Sequence, residues 1–144
     1  MTGIGPAAIL YVDNDPESCQ LIKTSFLRDE TEFDVVCITG AEDALDRIRR
    51  QSFDLYILEY SLIEMTGAEL CRKIRVMNRS TPVVIYSALF REIDRETAMK
   101  AGATAFVVKA DGLGNLSATI RRLLTRRPVI SRHYHAAKRS TSIF

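Results

Sequence analysis

Residues 54–70 read DLYILEYSLIEMTGAEL, and this stretch decides the fold. Leu55-Tyr56-Ile57-Leu58 is a continuous apolar run with no polar alternation. A run of four to eight such residues fits a strand covered on both faces, as in a parallel sheet. It stops at an acid, Glu59, and a loop leads to Gly67 and an apolar stripe at helical spacing, Leu70, Cys71, Ile74 and Met77.

The same unit recurs outward in both directions. Ile9-Leu10-Tyr11-Val12, Val83-Val84-Ile85-Tyr86 and Phe106-Val107-Val108 are further buried-type strands, and Phe33 to Ile38 is a weaker one. Helical patterns lie between them. Asp15-Pro16 is a start signal for a helix carrying Cys19, Ile22 and Phe26 on one face. Thr39 and Glu42 form a capping-box pattern ahead of Ala44, Leu45 and Ile48. Arg91 to Ala101 reads as a helix closed by Gly102, and Leu116, Ile120, Leu123 and Leu124 mark the last. Five strand-helix units in unbroken alternation predict a parallel sheet with helices on both faces, joined by right-handed crossovers.

Composition agrees with one domain. The chain has 144 residues, 47% hydrophobic and 26% charged. No run approaches the roughly 18 apolar residues of a membrane span, and Met1 to Ala8 has no basic signal-peptide start. A cytoplasmic location is expected. Cys19, Cys37 and Cys71 match no metal or redox spacing and read as small buried hydrophobes. Residues 121–144 hold seven of the 20 basic residues and no acid, so the first 120 carry a net charge of −5. The domain is expected to span 1–125, and 126–144 reads as a basic, flexible C-terminal extension.

In doubly wound sheets ligands bind beyond the carboxyl ends of the strands. Asp13, Asn14 and Asp15 follow the first strand, Glu59 the third, Ser87 the fourth and Lys109 the fifth. Carboxylates there can hold a hard cation such as Mg²⁺. A hydroxyl and a lysine are donors to a phosphoryl group.

These residues carry a family resemblance. ILYVDNDP (9–16), DLYILEYSLIEMTGAEL (54–70), TPVVIYSA (81–88) and AGATAFVVKA (101–110) resemble the receiver domain of bacterial response regulators. The resemblance covers about residues 7–125. It implies a flavodoxin-like fold with strand order 2-1-3-4-5 and five helices. It implies a role in two-component (phosphorelay) signalling, with no enzymatic reaction of its own. By position, Asp13 matches a metal-binding acid and Asn14 stands where a second acid is expected. Glu59 stands at the phosphoacceptor aspartate, Ser87 at the switch hydroxyl, Phe106 at the switch aromatic and Lys109 at the phosphate-contacting lysine. Ile63 and Ala110 replace prolines usual in the family. The implied acidic pocket is Asp13, Asn14, Asp15 and Glu59, with Asp13 and Glu59 as weak metal ligands.

Two departures bear on chemistry. Glutamate adds one methylene and moves the carboxylate by ~1 Å or more, and a misplacement of that size can cost on the order of 100-fold in rate. Asn14 removes a charge from the cation site, so Mg²⁺ binding should be weak. The expected protein is an atypical receiver that is not, or only poorly, phosphorylated and acts by protein–protein interaction. Glu59 either imitates a phosphorylated aspartate toward Lys109 and Ser87 or is simply paired with Lys109. An ordinary phosphate-accepting receiver is the alternative.

A flavin or nucleotide carrier is disfavoured, because Asp13-Asn14-Asp15-Pro16 repels phosphate. A hydrolase lacks parts, the only histidines being His133 and His135 in the tail. Expected partners are a sensor histidine kinase or other signalling proteins. A homodimer or output contact is implied through the face of the fourth helix, fifth strand and fifth helix, around Arg91, Arg95, Phe106 and Arg121. Nucleic acid and membrane are not expected.

Overall fold

The computed structural model describes residues 5–26, 32–88 and 91–125. The elements run β1 (Ala7–Val12), α1 (Pro16–Phe26), β2 (Phe33–Ile38), α2 (Ala41–Arg50), β3 (Leu55–Glu59) and α3 (Gly67–Met77), then β4 (Val83–Ser87), α4 (Glu92–Lys100), β5 (Ala105–Val108) and α5 (Leu113–Thr125). A single 3₁₀ turn, Lys109–Asp111, follows β5. The sheet is parallel throughout, in the order β2-β1-β3-β4-β5. Both the doubly wound architecture and the strand order agree with the sequence-based expectation.

Alternation of side chains along each strand builds two cores from one sheet. Leu10, Val12, Leu58 and Ile85 point to the face covered by α2, α3 and α4, meeting Ala44, Leu45, Leu70, Ile74 and Ala98. Ile9, Tyr11, Ile57, Val84 and Val107 point to the other face, against Cys19 and Ile22 of α1 and Leu116, Ile120 and Leu123 of α5. β1, β3 and β4 are buried at every position. That is why their sequences are unbroken apolar runs.

Register sets the level of the site. Val12 is paired with Leu58, Glu59 with Tyr86, Tyr86 with Val107 and Ser87 with Val108. The residues that end or follow β1, β3, β4 and β5 therefore share one rim of the sheet.

Two helix starts differ from expectation. Thr39 does not cap α2. The N-cap is Gly40, which has no side chain to offer, and Glu64 from the distant β3–α3 loop accepts from the Ala41 N–H at 2.7 Å. A capping box does exist at α3, where Thr66 and Glu69 bond each other's backbone N–H groups. At the other end, Gly102 closes α4 as expected, with φ +109°. Met77, placed on the apolar stripe of α3 by spacing, is 41% exposed at the end of that helix. Gly67 is a glycine of necessity: a Cβ there would lie 2.5 Å from the Glu59 carbonyl oxygen. The first turn of α3 thus rests on the backbone of the residue that ends β3.

Candidate functional site

At the carboxyl rim of the sheet one ammonium joins two buried carboxylates. Lys109 Nζ lies 2.8 Å from Glu59 Oε1 and 3.0 Å from Asp13 Oδ2. The two acid side chains are 9% and 4% exposed, the lysine 23%. Burial disfavours the Lys109 ammonium, but its hydrogen bonds to Glu59 and Asp13 outweigh that and hold its pKa above the usual lysine value. The same ammonium lies 5.4 Å from the centre of the Tyr86 ring, within cation–π range.

The remaining carboxylate oxygens are also engaged. Asp13 Oδ2 accepts from the Tyr11 hydroxyl at 2.5 Å, and Oδ1 accepts from the Asp15 N–H at 2.9 Å. Glu59 Oε2 accepts from the Ser61 N–H at 2.9 Å. Burial, reinforced by the bond to Asp13, pushes the Tyr11 hydroxyl pKa upward, so it stays a donor. Tyr11 belongs to this network although the sequence reading counted it as a strand hydrophobe. Its position two residues before Asp13, on the same side of an extended chain, was the available signal.

Of the expected acidic pocket, Asp13 and Glu59 come together with Lys109, and the other two members face elsewhere. Asp15 spends its carboxylate on the start of α1, accepting from the Glu17 N–H at 3.0 Å and the Ser18 hydroxyl at 3.1 Å. Asn14 bridges two loops. Its amide donates to the Thr39 carbonyl and accepts from the Ile63 N–H, both at 2.6 Å. Ser87 is buried at the end of β4.

Mg²⁺ takes oxygen ligands in near-octahedral geometry and keeps several of its waters. Every carboxylate oxygen of Asp13 and Glu59 already accepts from an N–H or O–H group, and Lys109 stands between the two acids. A cation entering between Asp13 and Glu59 meets the Lys109 ammonium there. Among the described residues no cluster of three or more His, Cys, Asp or Glu side chains is placed to hold a metal.

Phe106 is half-buried and its ring centre lies 6.3 Å from that of Tyr60, the residue after Glu59. Burial, and the neighbouring Asp94 carboxylate, push the Tyr60 hydroxyl pKa upward, and Asp94 takes a double bond from Arg91 at 2.8 and 2.9 Å. Arg95 is 3.8 Å from Glu92 on the same helix. Arg121, grouped with these by the sequence reading, lies elsewhere. It reaches Glu32 at 3.0 and 3.1 Å and covers the Phe33 ring, beside β2. β2 and β5 are opposite edges of the sheet, so Arg121 does not belong to the α4–β5 surface. Spacing along α5 gave no way to tell which edge each of its sides would face.

The chain's residues 9–121 match the sequence model of the response regulator receiver domain. The chain belongs to that family. Over 124 residues the receiver is 31% identical to the response regulator ArlR of Staphylococcus aureus, a match covering 83% of this chain and 53% of ArlR. It spans about half the length of the curated relatives it matches. Among solved structures it resembles a two-component response regulator from Clostridium difficile (28% identity, TM-score 0.76, 83% of this chain and 97% of the other). It also resembles the BeF₃-activated receiver domain of Klebsiella pneumoniae RstA (28% identity, TM-score 0.77, 83% and 99%). The protein is thus a receiver domain of two-component signalling. No described helix of this receiver is long and apolar enough to cross a membrane. The basic segment 126–144 lies outside the described residues.

Proposed function

We propose that this receiver signals without phosphoryl transfer to Glu59, through protein contacts made by a single resting arrangement of its site. The observation that carries the reading is the Lys109 ammonium, shared at 2.8 and 3.0 Å between Glu59 and Asp13. Phosphoryl transfer needs an acceptor oxygen in line with the donor phosphorus and a cation to neutralise developing charge. Here the acceptor position holds a longer side chain whose two oxygens are engaged by Lys109 and Ser61. A cation must first displace the lysine, so Mg²⁺ binding is weak. The pairing with Lys109 fits a fixed ion pair.

The receiver reads its inputs as binding partners: a sensor histidine kinase or other signalling proteins meeting it in the cytoplasm. Arg91, Arg95 and Phe106, beside β5, are the residues we assign to the output or dimer contact. Residues 1–125 act as the receiver module.

Intact-mass measurement after incubation with acetyl phosphate and Mg²⁺ tests the reading. No mass addition is expected in the unsubstituted protein, and addition of one phosphoryl group is expected for Glu59→Asp. Rapid, near-complete addition at Glu59 would overturn the proposal and return the protein to ordinary phosphate-accepting receivers.

A further inference from the structure

The two positions where this chain departs from the family's acids share one neighbour. Glu59 Oε2 accepts from the Ser61 N–H at 2.9 Å, and Asn14 Oδ1 accepts from the Ile63 N–H at 2.6 Å. Ser61 and Ile63 are two apart on the loop joining β3 to α3. The other end of the Asn14 amide donates to the Thr39 carbonyl at 2.6 Å, in the loop before α2. Glu64, the next residue of the β3–α3 loop, accepts from the Ala41 N–H at the start of α2.

We propose that Asn14 and Glu59 form a matched clamp that holds the β3–α3 loop in one conformation and makes its order independent of cation and phosphoryl group. The chemistry of each residue fits this task. An amide is both donor and acceptor, and here a carbonyl stands on one side and an N–H on the other. Aspartate at position 14 has no hydrogen to give and sets a second oxygen against the Thr39 carbonyl. At position 59 the longer glutamate keeps one oxygen on Lys109 while the other reaches Ser61. The loop is further fixed by a Ser61–Thr66 bridge and by the Gly67 N–H on the Tyr60 carbonyl at 2.6 Å. Held this way, it displays Ile63, 85% exposed, in one place. The clamp goes beyond the silent-acceptor reading, and its test reads amide exchange and not mass.

Backbone amide hydrogen exchange, followed by NMR on the whole chain, is the test. The Ser61 and Ile63 amides should be protected, and protection should not change when Mg²⁺ and acetyl phosphate are added. In Asn14→Asp, Ile63 exchange should rise about tenfold or more, the scale of one lost charge-free hydrogen bond plus a new repulsion. Asn14→Ser, which removes the bridge without adding charge, should do the same. The amides of Leu10 and Ile57, deep in the sheet, report global opening and should not change in either variant. Protection of Ile63 that survives both substitutions overturns the clamp. So does protection in the unsubstituted protein that rises on adding Mg²⁺ and acetyl phosphate.

Discussion

Both ends of this sheet bury polar groups, and they do so in opposite ways. At the amino end of the strands, charges meet neutral backbone. Arg75 donates to the carbonyls of Gly102, Thr81 and Asn78 at 2.9, 2.7 and 3.2 Å. Asp54, 1% exposed, accepts from the Ala8 N–H at 2.8 Å. At the carboxyl end, charges meet charges: Lys109, Glu59 and Asp13 engage one another. The first pattern stitches loops to strands, because a charged donor satisfies carbonyls that would otherwise be buried unbonded. The second commits three ionisable side chains to one small volume. Net stability does not require such an arrangement, since a buried ion pair is often no better than an apolar replacement. It is concentrated at the strand ends, the rim where α/β sheets bind ligands.

The contrast breaks most visibly if one partner is taken from the carboxyl-end group. Lys109→Met leaves two buried carboxylates without their cation and should cost about 3–5 kcal/mol in urea unfolding. The pH dependence gives a second handle. Lys109 has a folded-state pKa above its unfolded value, which is about 10.4. Its contribution is therefore complete below that pH and lost as pH rises through the folded-state value. The stability gap between the parent and Lys109→Met should be flat from neutral pH to about 10 and narrow above it. A gap that closes near neutral pH would show that the lysine is not what holds the acids.

At the opposite end, Arg75→Ala should cost about 2–3 kcal/mol through its lost charged hydrogen bonds. The NMR signals of Lys109, Asp13 and Glu59 should stay in place. If those signals move, the two ends are one coupled unit and the comparison fails. The smallest effect is expected for Tyr60→Phe, which keeps the ring against Phe106 and removes the hydroxyl beside Asp94. A loss within about 1 kcal/mol is expected, read by thermal unfolding. A larger loss would place the Tyr60 hydroxyl among the main supports of α4.

The fold was legible because β1, β3 and β4 are buried on both faces, and only unbroken apolar runs survive there. The site was legible for the residues that stand at strand ends, Asp13, Glu59, Ser87 and Lys109, since register alone brings them to one rim. What escaped was direction. Asp15 and Asn14 adjoin Asp13 in the chain, yet one turns to its own helix and the other to two loops. Gly40 took the N-cap that Thr39 was expected to fill, because Glu64, 24 positions on, supplied the missing acceptor at Ala41. A capping pattern records local partners only, and this one is tertiary. Arg121 failed for the same reason: helical spacing groups residues by side, and only the packed sheet decides which side faces β2.

Lys109 has one more consequence, in terms of competition. It is a cation that cannot diffuse away. A positive group tethered by a short linker presents an effective concentration on the order of millimolar or higher to its partner. Any dissolved divalent ion must outcompete it on every encounter, while the ammonium rebinds without a search. Partly buried pairs are also screened little by salt. The charge between Asp13 and Glu59 is therefore partly met from within the chain, by a group that covalent connectivity keeps in place. The receiver carries a counter-ion of its own at this rim, built into the chain.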